Sequence, residues 1–368
     1  MTLFASIRSK RDQSLAFICD CLLTSDGEQE YNIELPFGNI DPGIRHFSTH
    51  NLARKAFFPH PRLMMLWSGR LLYAKRLARQ LSLEVDAVLT NPNGFDFRDF
   101  TERHLTAQEI MECSFLFSLI DPLEGQGYRI KIKTCNCDHR DNDNFRVEGG
   151  GSGFGFSLGD IWLSETTENS DGIGGAENAL TQATHVLSNL IANENFSDSF
   201  HLMRAGGWYE IFFPTRDGFI PLSYAVNASS GQKDVWELRT RISTLYSDGR
   251  LMVIRSSFDF LAELSLDPTH RPKGHEFAIF PVVELFLKDP SIIESKLGLH
   301  ELYGGTANFA LHIFFDVEMS EAIVVNAPGS DIISFDKVSG GVKIEIDALQ
   351  KVAKQARLLE RAFPGASS

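Results

Sequence analysis

The amino-terminal stretch reads Thr2-Leu-Phe-Ala-Ser-Ile-Arg-Ser-Lys-Arg-Asp-Gln-Ser-Leu-Ala-Phe-Ile-Cys-Asp20 and decides the fold. Two short apolar runs flank a polar segment, which is the pattern of a β-hairpin. A hairpin of this length brings Asp20 back to the level of Thr2. Because Thr is small, we expect Met1 to be removed in front of it. The mature chain would then begin with a hydroxyl and a free α-amine on one residue.

This pairing of groups on Thr2 predicts a nucleophile that carries its own base. A hydroxyl is a weak nucleophile and needs an adjacent base. An α-amine has a pKa of about 7.7 to 8.0, so a useful share is unprotonated near neutral pH. Many chains begin Met-Thr by chance, and the hypothesis therefore depends on matching residues elsewhere in the chain.

A second hairpin and a helix come later in the sequence. Residues 51–58 and 62–67 flank Pro59-His-Pro61, where two prolines fix the backbone in a turn. After Ser68-Gly69, apolar residues recur at helical spacing from position 71 to position 81, with Arg and Lys between them. The predicted order is hairpin, hairpin, glycine turn and basic amphipathic helix.

In this order the residues resemble the proteasome-type N-terminal nucleophile (Ntn) hydrolases, among them the bacterial HslV-type and Anbu-type peptidases. That family has a Thr at the mature N-terminus, an Asp closing the second strand, a Lys beginning a later strand and a Gly after the next one. Thr2, Asp20, Lys55 and Gly69 match these positions in order. The 14-residue interval from Lys55 to Gly69 is the usual one in the family, whereas the first hairpin is slightly longer.

The resemblance implies a role for each matched residue. Thr2 would attack the substrate, and Lys55 would favour its alkoxide-like state and lower the pKa of the amine. Asp20 would keep Lys55 charged and oriented. The Gly69 N–H would meet the developing oxyanion, since a glycine lets the substrate carbonyl approach the backbone.

A glycine-rich segment extends the resemblance to the middle of the chain. Glu148-Gly-Gly-Gly-Ser-Gly-Phe-Gly155 resembles the family's Gly-Ser-Gly segment, and Ser152 would then form a hydrogen bond near the nucleophile's amine. Gly174-Gly175 is a rival match, because it directly precedes a predicted helix over 175–191, although it has no Ser.

The loop after that helix departs from the family, which usually has an Asp, two residues and a Ser there. Glu194 with Ser197 keeps the spacing but has a different acid, while Asp198 is the expected acid at a shifted position. Both assignments stay open. The departure leaves room for slow or lost catalysis.

The region between the helices predicts no metal site. Thr106-Ala-Gln-Glu109 matches a helix cap and predicts a helix over 106–119, and residues 127–134 alternate as a strand does. Cys135-Asn-Cys137-Asp-His139 has zinc-type ligands but no second pair of them, so cysteines of a polar loop are the favoured interpretation.

Length and composition indicate a two-domain protein of 368 residues with 43% hydrophobic content. We predict a proteasome-like domain over 1–228 and a C-terminal domain of unknown role over 229–368, with strand or helix at 274–286 and 306–316 and a helix at 347–363. The net charge of −13 argues against nucleic acid as the main partner. No apolar run reaches the roughly 18 residues of a membrane span. Five cysteines without framework spacing favour the cytoplasm.

The resemblance implies an α/β fold: a four-layer αββα sandwich, followed by a second, C-terminal α/β domain. The implied activity is an N-terminal threonine hydrolase that cleaves peptide or other amide bonds through an acyl-enzyme, without cofactor or metal. Its partners would be a peptide or protein substrate and copies of itself, in a ring or related homo-oligomer. The alternative is a non-catalytic proteasome-like subunit that acts in assembly or partner binding.

Overall fold

The computed structural model describes residues 3–26, 34–37, 47–125, 127–151, 154, 178–196, 206–232, 235–247, 250–258, 275–286, 307–316, 321–327, 333–335, 342–344 and 347–354. These residues form a mixed α/β protein that three β-sheets dominate, with few helices, so the predicted α/β class is confirmed at this level. Within the described ranges, no helix has both the length and the apolar character that crossing a membrane requires.

The chain divides into two compact units. The first contains Met1–Glu34, Asn39–Leu222 and Val283–Lys288, and the second contains Leu35–Gly38, Ser223–Val282 and Asp289–Ser368. A short segment from late in the sequence therefore belongs to the first unit. The boundary predicted at residues 228 and 229 stays a prediction.

Strands make up most of the first unit. They are β1 (Phe4–Ser9), β2 (Leu15–Asp20), β3 (Leu22–Asp26), β4 (Phe47–Ala53), β5 (Ala56–His60), β6 (Leu63–Gly69), β7 (Cys113–Pro122), β8 (Tyr128–Cys135), β9 (Asp138–Asp141), β10 (Phe145–Gly150), β11 (Tyr209–Pro214) and β12 (Phe219–Pro221). Its described helices are α1 (Leu71–Leu83), α2 (Val85–Thr90), α3 (Phe97–His104), α4 (Ala107–Met111) and α5 (Ala179–Phe196). One sheet has the strand order β12-β11-β2-β1-β10-β9 and another has β5-β6-β7-β8, while β3 pairs with β4.

The first predicted hairpin and the helix after the second are confirmed, whereas the strand predicted over 51–58 is divided between β4 and β5, of which only β5 pairs with β6. Strands β1 and β2 pair antiparallel with Phe4 opposite Cys19, and β5 pairs antiparallel with β6 across a turn at residues 61 and 62, because Pro59 and His60 belong to β5. Helix α1 begins two residues after Gly69, and its buried side chains Ala74, Leu77, Ala78 and Leu81 follow the predicted spacing.

The six-stranded and four-stranded sheets of the first unit pack against each other through alternate residues of β6. Met64 and Leu66 share a buried cluster with Phe4 and Phe17 of the six-stranded sheet. Trp67 and the residues two and four positions before it point to the opposite face of the strand, into a cluster with the buried side of α1. Because successive strand residues point to opposite faces, one strand supplies both layers of the core. Each fully buried Leu or Phe of this kind contributes roughly 1.5–3 kcal/mol.

Helix α5 covers the six-stranded sheet. It contacts β1, β2 and β11, and its first N–H, from Ala179, donates to Ser14 Oγ at 2.8 Å. Ala5 and Ile18 alternate with the residues that meet the four-stranded sheet, and both are fully buried. The helix therefore lies on the face opposite the other sheet.

The predicted helix over 106–119 is wrong beyond its first turns. The cap is as expected, since Thr106 and Glu109 form a reciprocal capping box, but α4 ends at Met111. From Cys113 the chain forms β7, which pairs with β6 and β8. The apolar, aromatic run of β7 fits a buried central strand, and periodicity alone does not separate such a run from a buried helix.

The second unit is built on strands β13 (Tyr224–Gln232), β14 (Val235–Ser247), β15 (Arg250–Phe258), β16 (His275–Val283), β17 (Phe309–Asp316) and β18 (Glu321–Ala327), in the order β18-β17-β13-β14-β15-β16. The segments predicted as strand or helix at 274–286 and 306–316 are thus mainly strand. Strands β19 (Ile333–Phe335) and β20 (Val342–Ile344) form a separate pair, and residues 347–354 are helical. Arg241 is fully buried in this unit, and its Nη1 donates to Asn227 Oδ1 at 2.9 Å.

Candidate active site

Asp20 ends β2 inside the first unit and has no solvent exposure. Its Oδ1 accepts the backbone N–H of Leu3 at 2.9 Å, and its Oδ2 accepts the backbone N–H of Gly206 at 3.1 Å. Burial raises the pKa of Asp20 to about 6, against the opposing effects of Lys55 and of these two N–H donors. The carboxyl is therefore fixed by backbone groups on both sides.

Lys55 lies between β4 and β5 and is also buried. Its carbonyl accepts the N–H of Trp67 at 3.1 Å, and its ammonium lies 4.5 Å from the centre of the Trp67 ring. Burial lowers the pKa of Lys55, and the negative charge of Asp20 opposes that effect. The predicted electrostatic pair is thus brought together in one buried place, with an aromatic face beside the ammonium.

Gly69 ends β6, two residues beyond Trp67, and pairs with Cys113 of β7. Its backbone φ of +95° lies in a region that residues with a side chain rarely adopt. A Cβ at this position would lie 2.1 Å from the carbonyl oxygen of Glu112. The backbone φ angle and the packing of Gly69 therefore both require glycine. The hairpin of β5 and β6, which begins directly after Lys55, ends at this glycine.

Glu194, near the end of α5, is a second buried carboxyl at the site. Its Oε1 accepts the N–H of Gly207 at 2.6 Å. Gly207 is the next residue in the chain after Gly206, whose N–H donates to Asp20. Burial raises the pKa of Glu194 to about 7, with the charge of Asp20 acting in the same direction. The Gly207 N–H and the Tyr209 side chain act to lower it. Near neutral pH this carboxyl therefore retains a substantial share of its proton.

Gly206 and Gly207 connect the two carboxyls through successive backbone N–H groups, and this connection was not predicted from the sequence. Both residues have positive φ, +120° and +75°. A Cβ on Gly206 would lie 2.7 Å from the Glu194 carboxyl, and one on Gly207 would lie 2.7 Å from Leu52. The Gly-Gly pair was the available signal, because consecutive glycines often mark backbone that must approach another group closely.

A buried ion pair next to Lys55 was also missed. Arg54 Nε lies 3.0 Å from Glu210 Oε1, and neither side chain is more than 10% exposed. The guanidinium also lies near the rings of Phe58 and Phe212, at 5.2 and 5.8 Å. Arg54 and Lys55 thus carry two adjacent buried positive charges.

Four of the predicted site residues, Thr2, Ser152, Ser197 and Asp198, lie outside the described residues. Of the remaining ones, the structure brings together Asp20, Lys55 and Glu194, with Gly69 at the end of the hairpin that begins beside Lys55. Leu3, which follows Thr2 in the chain, is bound to Asp20 through its N–H.

The cysteines show no sign of nucleophilic or metal-binding chemistry. All five are free, and burial raises the pKa of the Cys19 and Cys21 thiols well above their ordinary value. It also raises the pKa of Cys137 to about 12, so this thiol is not activated as a nucleophile. Among the residues that the structure describes, no group of three or more His, Cys, Asp or Glu side chains is arranged to hold a metal ion.

Comparison with known proteins adds no family to this description: neither the protein-family models nor the curated protein sequences contain a match to the chain.

Proposed function

We propose that this protein is an N-terminal threonine hydrolase of the proteasome-type Ntn class, acting on peptide or other amide bonds. The observation that carries the proposal is the buried Asp20–Lys55 pair, whose Asp accepts the N–H of the residue that follows Thr2. Perturbed, mutually interacting charges in a buried place are typical of catalytic centres.

The layer contacts support the same class. Within the first unit, helix α5 packs on the six-stranded sheet. That sheet packs on the four-stranded sheet, whose other face packs on helix α1. We interpret this succession as the αββα sandwich of the Ntn hydrolases, with the second unit as an added C-terminal domain. The absence of disulfides among the five cysteines agrees with a cytoplasmic location, and a ring or related homo-oligomer is part of the proposal.

The proposed reaction is acyl transfer to Thr2. The Thr2 Oγ attacks the amide carbonyl carbon while its proton passes to the α-amine, and the Gly69 N–H binds the resulting oxyanion. The C–N bond then breaks and the leaving amine takes the proton from the α-ammonium. Water attacks the acyl ester, which releases the carboxylic acid and restores Thr2. The charge of Asp20 favours the protonated form of Lys55 against the effect of burial, and this ammonium stabilises the negative charge on oxygen during the attack.

The test begins with intact mass and N-terminal sequencing of the native protein. A chain that begins at Thr2 should hydrolyse a panel of fluorogenic peptide amides, and Thr2→Ala should abolish this while an exposed control, Thr90→Ala, leaves it unchanged. Retention of Met1 on every molecule would exclude the mechanism, because a blocked amine cannot act as the base.

The second candidate is a non-catalytic subunit that uses the fold for assembly or partner binding. The observation that favours it is Glu194, one of the two acids that could correspond to the family's Asp, because this carboxyl keeps part of its proton near neutral pH. A processed chain that is inactive on all peptides, yet forms a defined homo-oligomer, would support this alternative.

A further inference from the structure

A short segment from late in the sequence packs beside Lys55 within the first unit. We call Val283–Phe286 the strap. The Val283 carbonyl accepts the N–H of Arg54 at 2.9 Å, at the point where the chain leaves β4 and reaches Lys55. This bond is made by backbone atoms alone, so it fixes the main chain directly before the candidate lysine.

The other strap residues add three kinds of contact. Glu284 Oε1 lies 3.2 Å from Arg54 Nη1, and Leu285 is buried in the cluster between α1 and the four-stranded sheet. The Phe286 ring meets the Phe57 ring edge to face, with centroids 5.3 Å apart. The hydrogen bond and the ion pair involve Arg54 and the ring contact involves Phe57, so these three contacts lie on both sides of Lys55 in the chain, while Leu285 anchors the strap in the core.

Arg54 also contacts the aromatic side chain that lies beside the ammonium of Lys55. Its carbonyl accepts the indole Nε1–H of Trp67 at 3.3 Å, and the centre of the same indole ring lies 4.5 Å from the Lys55 ammonium. The guanidinium forms ion pairs with both Glu210 and Glu284. A shift of Arg54 would therefore move the aromatic face against which the ammonium packs.

We infer that the strap is a positioning element for the candidate site, in which Glu284 and Phe286 act on Lys55 through Arg54 and Phe57. The catalytic importance of Lys55 rests on the proposed function, but its placement by the strap does not. The C-terminal third of the sequence thereby supplies part of the architecture of the site, rather than only a separate domain.

The experiment follows the titration of Lys55 in the full-length protein by NMR, with ¹³C-labelled lysine and with Lys55→Arg to assign the signal. Glu284→Gln removes a charge from the strap, and Phe286→Ala removes a ring contact without changing any charge. The matched controls are Glu102→Gln, an exposed glutamate paired with Arg98, and the exposed Leu83→Ala. Phe286 is half exposed, so its truncation should be tolerated, and Phe286→Leu serves if the Ala variant fails to fold.

We expect both strap variants to change the pKa of Lys55, Glu284→Gln lowering it by roughly half a unit or more, whereas both controls leave it unchanged. A change in Glu284→Gln alone would mean a direct charge effect and would overturn the positioning role, as would no change in either. If the pKa of Lys55 changes in both strap variants but no preparation hydrolyses a peptide amide, the positioning role of the strap is supported and the proposed function is refuted.

Discussion

Replacing Glu194 by Gln should flatten the dependence of folding stability on pH. Glu194 keeps its proton in the folded protein up to a pKa of about 7, because it is buried next to Asp20. In the unfolded chain the same group ionises near its ordinary value of 4.5. Between these values the folded state binds more protons than the unfolded state, so stability falls as pH rises. The contribution is fully present below pH 4.5 and is lost as pH rises through about 7.

The size of the effect follows from the two pKa values. The interval from 4.5 to about 7 corresponds to about 3 kcal/mol, at about 1.4 kcal/mol per pH unit. Gln cannot ionise, yet its side-chain oxygen can still accept the Gly207 N–H that Glu194 binds. Asp20, with its pKa raised from 3.8 to about 6, acts in the same direction over a lower range and remains in both proteins.

The assay is urea unfolding of the wild type and Glu194→Gln from about pH 5 to about pH 8, followed by tryptophan fluorescence. We expect the free energy of unfolding of the wild type to fall by about 2–3 kcal/mol more than that of the variant across this range, because a small part of the loss occurs below pH 5. Glu102→Gln, which removes an exposed glutamate, should follow the wild type. Parallel stability curves for the wild type and Glu194→Gln would refute the claim that burial keeps this carboxyl protonated.

Two further substitutions test the packing around the site. Gly206→Ala should lower the free energy of unfolding by more than Gly125→Ala, since both have positive φ but only the former would place a Cβ within 2.7 Å of Glu194; equal losses in chemical denaturation would show that the turn can move away. Arg54→Met should lose about 3–5 kcal/mol because it takes the guanidinium away from the buried Glu210 carboxylate. Much of that loss should return in the double variant with Glu210→Leu, and a double variant no more stable than Arg54→Met would contradict this reason.

The sequence predicted those parts of the fold that short-range signals specify. The first hairpin, the Pro-His-Pro hairpin and helix α1 each have their turn residues and apolar spacing within about twenty positions, where local patterns are informative. The Thr106 cap was also local, and it was confirmed. The run from Cys113 was not, because a buried strand and a buried helix have the same apolar composition and only the pairing of β7 with β6 and β8 decides between them.

At the site, the sequence predicted the charged residues but not the contacts that position them. Asp20 and Lys55 were predicted, and both are buried close enough to affect each other's pKa. The hydrogen bond from the Gly206 N–H to Asp20 and the contact between the strap and Arg54 were not predicted. These contacts join positions 186 and 230 residues apart, and no local pattern encodes such a separation. Long-range contacts of this kind emerge only once the sheets have formed.

The two buried positive charges of Arg54 and Lys55 differ in what they do for the protein. Arg54 meets Glu210 and Glu284 directly, and the ion pair with Glu210 is the arrangement that lets a buried guanidinium remain charged. Lys55 is different, since burial moves its pKa down and that of Asp20 up, each towards the neutral form. A pair shifted in this way makes a poor contribution to stability, because its ionised state is disfavoured by the burial that surrounds it. The ion pair therefore accounts for the burial of Arg54, whereas the lowered pKa of the buried Lys55 is a kind of perturbation that is common at functional sites.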